Sequence, residues 1–419
     1  MRVLIVNTSE RTGGAAVAAN RLTEALNNHG VKVRMLVREK TTDNLTTIEL
    51  PQSPLLRWHF LWERLVIFFH LRFSRVHLFE IDIANSGTDI TRLKEFKEAD
   101  IIHLHWVNQG MLSLGGIRKI LQSGKPVVWT MHDIWPATAI CHLTMECRNF
   151  TTACQNCRLL PGHGATNDLS ARVWRRKQQM LRGESVFFVT CSRWLAGEAK
   201  SSALLRGHKV TNIPNPIDTR VYHPMDRSEA RKALGLPADR RLILFAAQRA
   251  TNQNKGMDYL AEACRKMAAE DDNLGVVVLG GHADDIAGQL PLPVYPLGYI
   301  SGEIEIVKVY NAADVFVLPS LSENLPNTIM EAMACGVPSV GFNVGGIPEE
   351  IDHKKNGYVA AYRDADDLAR GIRWVLDANA EDLRRQCLRK VAQNYSQSAV
   401  AMKYVEVYNQ AMAMKHYKL

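Results

Sequence analysis

Two glutamates, Glu323 and Glu331, stand eight positions apart in the run Pro319-Ser320-Leu321-Ser322-Glu323-Asn324-Leu325-Pro326-Asn327-Thr328-Ile329-Met330-Glu331. Pro326 suits a first helical turn, because it lacks the N–H that would find no partner there. A helix starting here presents unpaired N–H groups and partial positive charge beside a carboxylate, so one place offers both anion binding and a hydrogen-bond acceptor. That combination suits a sugar attached to a phosphate. Upstream, Gln248-Arg249 follows the apolar run Ile243 to Ala247, and Lys255 lies six residues beyond the arginine. Arginine forks two phosphate oxygens and lysine adds a point charge, so the two could neutralise a diphosphate leaving group. Near the start, Gly13 and Gly14 in Thr12-Gly13-Gly14-Ala15-Ala16 would let backbone N–H groups approach a ligand closely. His132-Asp133 closes the apolar run Val127 to Met131.

These residues need strands and helix starts to hold them. Short Val/Ile/Leu runs alternate with longer helical stretches, the signature of parallel sheets with crossover helices. In the first half the strands are expected at Val3 to Val6, Lys32 to Val37, Ile101 to His105, Val127 to Met131 and Val186 to Cys191. A second series is expected at Leu242 to Ala246, Gly275 to Leu279, Val294 to Pro296, Val315 to Leu318 and Pro338 to Gly341. The repetition predicts an α/β chain of two doubly wound Rossmann-like domains, with the turn formers of Thr211 to Asp218 as linker. Ligands sit at the carboxyl ends of strands in such sheets, so a cleft between the domains is the expected site.

The glutamate pair and its surroundings resemble the Glu-x7-Glu signature of retaining, family 4 type glycosyltransferases with the GT-B fold. Further matches carry the resemblance along nearly the whole chain: the glycine turn at Gly13 and Gly14, the strand-end His132, and Arg249 with Lys255-Gly256. It implies an acceptor domain over 1–210, a nucleotide-sugar donor domain over 211–395, and a C-terminal helix over 396–419 that returns to the first domain. By resemblance Arg249, Lys255, Gly13, Gly14 and the backbone of Asn324 and Leu325 face the donor diphosphate. Glu331 would hold the ribose, Glu323 the transferred sugar, and His132 the sugar hydroxyls. The implied reaction moves a sugar from a UDP- or GDP-linked donor to a lipid-linked or polysaccharide acceptor, with same-face attack and no cofactor for catalysis. Two departures stand out: Ala247-Gln248 replaces the usual glycine before Arg249, and Asn324-Leu325-Pro326 replaces a Gly-Phe type pair after Glu323. A sugar-nucleotide epimerase of the same fold, or a non-catalytic sugar-nucleotide binding protein, are the other readings.

Cys141, Cys147, Cys154 and Cys157 are spaced x5, x6 and x2. Four thiolates on one short segment could close a structural zinc site, with free thiols or disulfides as the alternatives. The segment 55–75 is rich in Leu, Phe and Trp; at about 100° per residue, Arg57, Arg64, Arg72 and Arg75 fall in a narrow stripe. Such a helix could lie in a membrane interface with its arginines on lipid phosphates, or could be a core helix with one wet edge.

A chain of 419 residues is expected to hold two cores, and 46% hydrophobic with 22% charged residues describes a globular protein. The net charge of +8 favours an acidic partner such as nucleotide phosphates or an anionic membrane surface. No nucleic-acid partner is expected. The opening Met1-Arg2-Val3-Leu4-Ile5-Val6-Asn7 has no cleavage site, so a location in the cytoplasm or at the inner face of the membrane is expected.

Overall fold

A computed structural model describes residues 1–416, so the last three positions of the expected 396–419 helix lie outside the described residues. Continuous apolar runs bounded by turn formers become strands buried on both faces, as parallel sheets covered by helices require. The first sheet contains β1 (Arg2–Val6), β2 (Lys32–Val37), β3 (Thr47–Glu49), β4 (Ile101–Leu104), β5 (Val127–Met131), β6 (Val186–Thr190) and β7 (Lys209–Asn212). Its order is β3-β2-β1-β4-β5-β6-β7, with every pairing parallel. The second contains β8 (Arg241–Arg249), β9 (Leu274–Gly281), β10 (Val294–Gly298), β11 (Val315–Leu318), β12 (Ser339–Phe342) and β13 (Gly357–Ala360). Its order is β10-β9-β8-β11-β12-β13, again all parallel.

Each sheet reverses its winding once, between β1 and β4 in the first and between β8 and β11 in the second. At such a switch point the two following loops part and leave room for a ligand beyond the carboxyl ends of the strands. Gly13 follows β1, Arg249 ends β8 and Glu323 follows β11, which places three of the candidate residues at switch points. The short strands β3, β7 and β13 were not expected. β3 and β7 are edge strands with polar or charged residues, Thr47-Ile48-Glu49 and Lys209-Val210-Thr211-Asn212, and show no apolar run.

The chain forms two compact units, one of Met1–Pro214 with the chain from Val400 onward, the other of Asn215–Ala399. In the first, Leu4, Val6, Ile102 and Trp129 face one core, while Val3, Ile5, Val128 and Val189 face the other. The helix Gln397–His416 enters that second core with Val400, Ala401, Tyr404, Val407 and Tyr408. The Asn215–Ala399 unit is centred on Ile243, Phe245, Val276, Val278, Val315, Val317 and Val340. Full burial of side chains of this size contributes about 1.5–3 kcal/mol each, so both sheets are rigid supports for their loops.

The segment 55–75 is helical over Pro54–His70, with Ser53 as N-cap accepting from the Leu55 N–H. Its arginine stripe does not hold together in three dimensions. Arg57, Arg72 and Arg75 are exposed, but Arg64 is buried and pairs with the buried Asp82. Among the described residues no helix is long and apolar enough to cross a membrane.

Candidate functional site

In the second unit the chain leaves β11 at Leu318 and the first signature glutamate lies on the loop that follows. The Lys255 Nζ pairs with Glu323 Oε1, and the Ser320 hydroxyl donates to the same oxygen at 3.0 Å. The two loops are tied by backbone and side chain: Leu321 N–H donates to the Asn254 carbonyl at 2.8 Å, and Asn254 Nδ2 to the Ser322 carbonyl at 2.9 Å. Between Lys255 and the next helix, Gly256 adopts φ 71°, and a Cβ there would fall inside the Pro319 carbonyl. Gly345, at φ 58°, meets the Glu323 carbonyl in the same way. Only glycine takes these left-handed positions without strain while allowing so close a backbone approach. The cation and the carboxylate assigned to diphosphate and sugar are therefore neighbours on two loops stitched together.

The helix after Glu323 spans Asn327–Ala334, with Pro326 as its N-cap. It begins one residue later than a proline in the first turn would imply. Leu325 is buried and Asn324 half-buried, just before that helix start. Glu331 is buried on the helix, where its Oε2 accepts from the Tyr310 hydroxyl at 2.8 Å. Burial and the adjacent carboxylate push the Tyr310 phenol well above its ordinary range, so it stays a donor. Arg249 ends β8 as an exposed side chain and reaches His282, Nη2 to Nε2, at 3.4 Å.

In the first unit Gly13 caps the helix Gly14–Asn28 at φ 90°, the positive φ that its type predicts. Asn7 shapes the loop before it: Oδ1 accepts from the Trp106 N–H at 2.9 Å and Nδ2 donates to the Ser9 carbonyl at 2.7 Å. At the end of β5, His132 Nε2 and His105 Nδ1 lie 2.8 Å apart, and His132 Nδ1 is 3.4 Å from the Cys191 thiol. Both ring nitrogens of His132 are thus engaged within this unit. Burial pulls His132 down to about 4 and His105 well below the ordinary range, so both are neutral at pH 7. His103 is tied to Tyr408 at 2.8 Å and to Thr130 at 2.7 Å, and burial lowers it to about 3.

Asp133 turns the other way. It accepts from Trp106 Nε1 at 2.9 Å, from the Trp135 N–H at 2.9 Å and from His142 Nδ1 at 2.7 Å. His142 also donates from Nε2 to Asp82 at 2.6 Å. Burial disfavours a charge on this ring, but Asp133 and Asp82 outweigh it and raise His142 to about 10. A fixed imidazolium therefore locks the residue beside His132. Nothing in the local sequence marks His142, because Asp82 is 60 residues away and the pairing exists only in the fold. Tyr310 was missed because it meets Glu331, 21 residues on, only in the fold, and Ser320 because it is one of several polar residues in its loop.

Cys141, Cys147, Cys154 and Cys157 are half-buried free thiols. Burial raises Cys154 to about 12 and Cys157 to about 11, keeping them protonated. Among the described residues no group of three or more His, Cys, Asp or Glu side chains is placed to hold a metal ion. The segment leading into the cysteines is braced by the buried Lys177, whose Nζ donates to the carbonyls of Trp135 at 2.6 Å and Thr138 at 3.0 Å.

Comparison with known proteins gives two family matches. Residues 12–221 match the family described as glycosyltransferase family 4, and residues 226–394 the family described as glycosyl transferases group 1. A D-inositol 3-phosphate glycosyltransferase of Saccharomonospora viridis is 24% identical, covering 98% of this chain and 94% of its own length. An uncharacterized glycosyltransferase of Methanocaldococcus jannaschii is 28% identical over 80% of this chain and 90% of its own. Among solved structures, the sucrose-phosphate synthase of Thermosynechococcus elongatus superposes with a TM-score of 0.67 at 19% identity, covering 99% of both chains. Anabaena HepE in complex with UDP superposes with a TM-score of 0.64 at 17% identity, covering 98% of this chain and 100% of that one.

Proposed function

The chain belongs to the family 4 glycosyltransferases and has their GT-B fold, and on that premise we propose that it transfers a sugar, with retention, from a nucleotide diphosphate donor to a lipid-linked or polysaccharide acceptor. The observation that carries this reading is the Lys255–Glu323 pair, held between two loops at the switch point of the second sheet. A diphosphate entering there offers Lys255 two negative charges in place of one. Glu323 is then released to accept from hydroxyls of the transferred sugar, and Ser320 keeps it oriented. Arg249 and the start of the helix Asn327–Ala334 add positive potential for the departing diphosphate, where charge develops as the bond breaks. Glu331, fixed by Tyr310, is the acceptor for the ribose hydroxyls.

In the step itself the acceptor oxygen bonds to the anomeric carbon on the face the diphosphate leaves. The anomeric carbon–phosphate oxygen bond breaks with its electron pair going to the diphosphate. A donor phosphate oxygen takes the acceptor proton. With both ring nitrogens engaged, His132 contributes to sugar placement through its ring edge and the backbone at the end of β5. The HepE complexes with UDP and UDP-glucose support a UDP-linked donor. A phosphorylated polyol acceptor is the second reading, favoured by the inositol-phosphate enzyme that aligns along almost the whole chain.

Donor consumption measured with and without acceptor, with the product's anomeric configuration read by NMR, tests the proposal. Acceptor-dependent turnover giving the donor's configuration is expected. Inverted product would overturn retention, and donor isomerised without acceptor would mean an epimerase.

A further inference from the structure

The helix Pro54–His70 turns Glu63 and Arg64 inward and leaves a row of apolar residues, beside Arg57, exposed. Glu63 accepts from the N–H groups of Ile83 at 2.8 Å and Ala84 at 2.6 Å, while Arg64 pairs with Asp82 and donates to the carbonyls of Leu78 at 2.6 Å and Ile81 at 3.2 Å. With that pair turned inward, the opposite side shows solvent Leu55, Trp58, Trp62, Leu65 and Phe69, each between 40% and 60% exposed. Their spacing of three or four residues makes them one row along the helix. The Trp58 and Trp62 rings stack at 5.8 Å, and the exposed Phe73 packs edge-on to Phe69 at 5.3 Å, extending the row past the helix end. A continuous apolar strip of this length marks an interaction surface, unlike single exposed apolar residues.

Beside the row, on the adjoining face of the same helix, a cavity of about 400 Å³ opens between Pro54–His70 and the helix Leu169–Leu181. Arg172, Arg175 and Arg176, with His70, Asn85 and Gln179, share its lining with an apolar part formed by Val66, Ile83, Leu169 and Val173. Arg172 reaches His70 Nε2 at 3.1 Å and Arg175 reaches Asn167, but among the described residues none of the three arginines is paired with a carboxylate. Asn85 Oδ1 is buried there with no hydrogen-bond partner, which suits a hydroxyl donor. Three uncompensated guanidinium groups around a cavity call for a phosphate, and the strip alongside calls for hydrocarbon. Tryptophan rows of this kind belong at the boundary between head groups and acyl chains.

We propose that this face docks on an anionic phospholipid bilayer, with the aromatic row in the interface and a lipid phosphate seated in the arginine-lined cavity. The arginines that serve the lipid are those of Leu169–Leu181, not the inward Arg64 of the sequence stripe. The proposal is independent of which sugar the second unit handles, and its test reads binding alone.

The full-length protein would be sedimented with phosphatidylglycerol and with phosphatidylcholine vesicles, beside Trp58→Ser/Trp62→Ser and Arg172→Gln/Arg175→Gln/Arg176→Gln variants. All substituted side chains are surface groups, and unchanged circular dichroism would show that both variants fold. Binding to the anionic vesicles is expected to exceed that to the zwitterionic ones by at least tenfold at low salt. The arginine variant should lose about 100-fold of its affinity for the anionic vesicles, at about fivefold for each of the three basic residues near such a surface. The tryptophan variant should lose binding to both. Equal binding to the two vesicles, or no change in either variant, would overturn the proposal. So would tight binding of soluble glycerol 3-phosphate without vesicle binding, or a stable dimer in solution that buries Trp58 and Trp62 and leaves vesicles unbound.

Discussion

Lys255 and Glu323 neutralise each other on paired loops, and any diphosphate that enters must compete with that contact. Replacing Lys255 by methionine should weaken nucleoside diphosphate binding at least tenfold, because a charge-assisted contact to phosphate contributes about 1.5–3 kcal/mol. Lys255→Arg should recover part of it; isothermal titration with UDP and GDP checks both. Tyr310→Phe removes the hydroxyl that fixes Glu331 without opening a cavity. It is expected to weaken nucleotide binding by about two- to tenfold, on the scale of one hydrogen bond, and to lower the thermal midpoint by a few degrees, because a buried carboxylate oxygen loses its donor. The glutamates, cations and glycines stand out in the chain because each type has few reasons to stand at such a spacing. Their partners do not: Tyr310 becomes meaningful only once the fold brings it to Glu331, and Ser320 is one hydroxyl in a polar loop.

Two glycines hold the donor loops in place. Gly256→Ala would set a methyl group inside the Pro319 carbonyl at a positive φ, and Gly345→Ala would do the same against Glu323. Each should destabilise the second unit by about 1–3 kcal/mol or more and displace the Lys255 or Glu323 loop. Chemical denaturation followed beside nucleotide affinity would show both losses, whereas Gly288→Ala, with open space around its Cβ, should show neither. The long apolar strands were legible because burial on both faces leaves an unbroken Val/Ile/Leu run. Edge strands such as Lys209–Asn212 bury less and leave no such trace. The helix Pro54–His70 shows a different limit. Its amphipathic period was readable, but the direction was not, since Asp82 decides that Arg64 faces inward.

The first unit is organised around buried neutral histidines. His103 and His132, with ordinary values of 6.5, are lowered to about 3 and about 4, so in the unfolded chain they take up protons that the folded unit refuses. Their folded-state values are depressed, hence stability is full above pH 6.5 and is lost as pH falls toward 4. Glu63 works against this trend, because burial raises its carboxyl to about 7. His103→Gln isolates the histidine contribution: its thermal midpoint should fall less than that of the parent protein between pH 6.5 and 4. The two-unit organisation was visible from the repeated strand pattern, and Glu-x7-Glu singled out the loop after β11 that the proposed reaction uses. The histidine and aspartate lattice behind His132 was not, because its members are drawn from β4, β5 and loops up to 60 residues apart. The most direct measurement is turnover of a nucleotide diphosphate sugar by the full-length protein beside its Glu323→Gln variant. Loss of at least about 100-fold in kcat is expected, with nucleoside diphosphate affinity held within a few-fold, as the proposed role of the carboxylate on the transferred sugar requires. Full turnover by the variant would contradict the assignment of Glu323 to the transferred sugar.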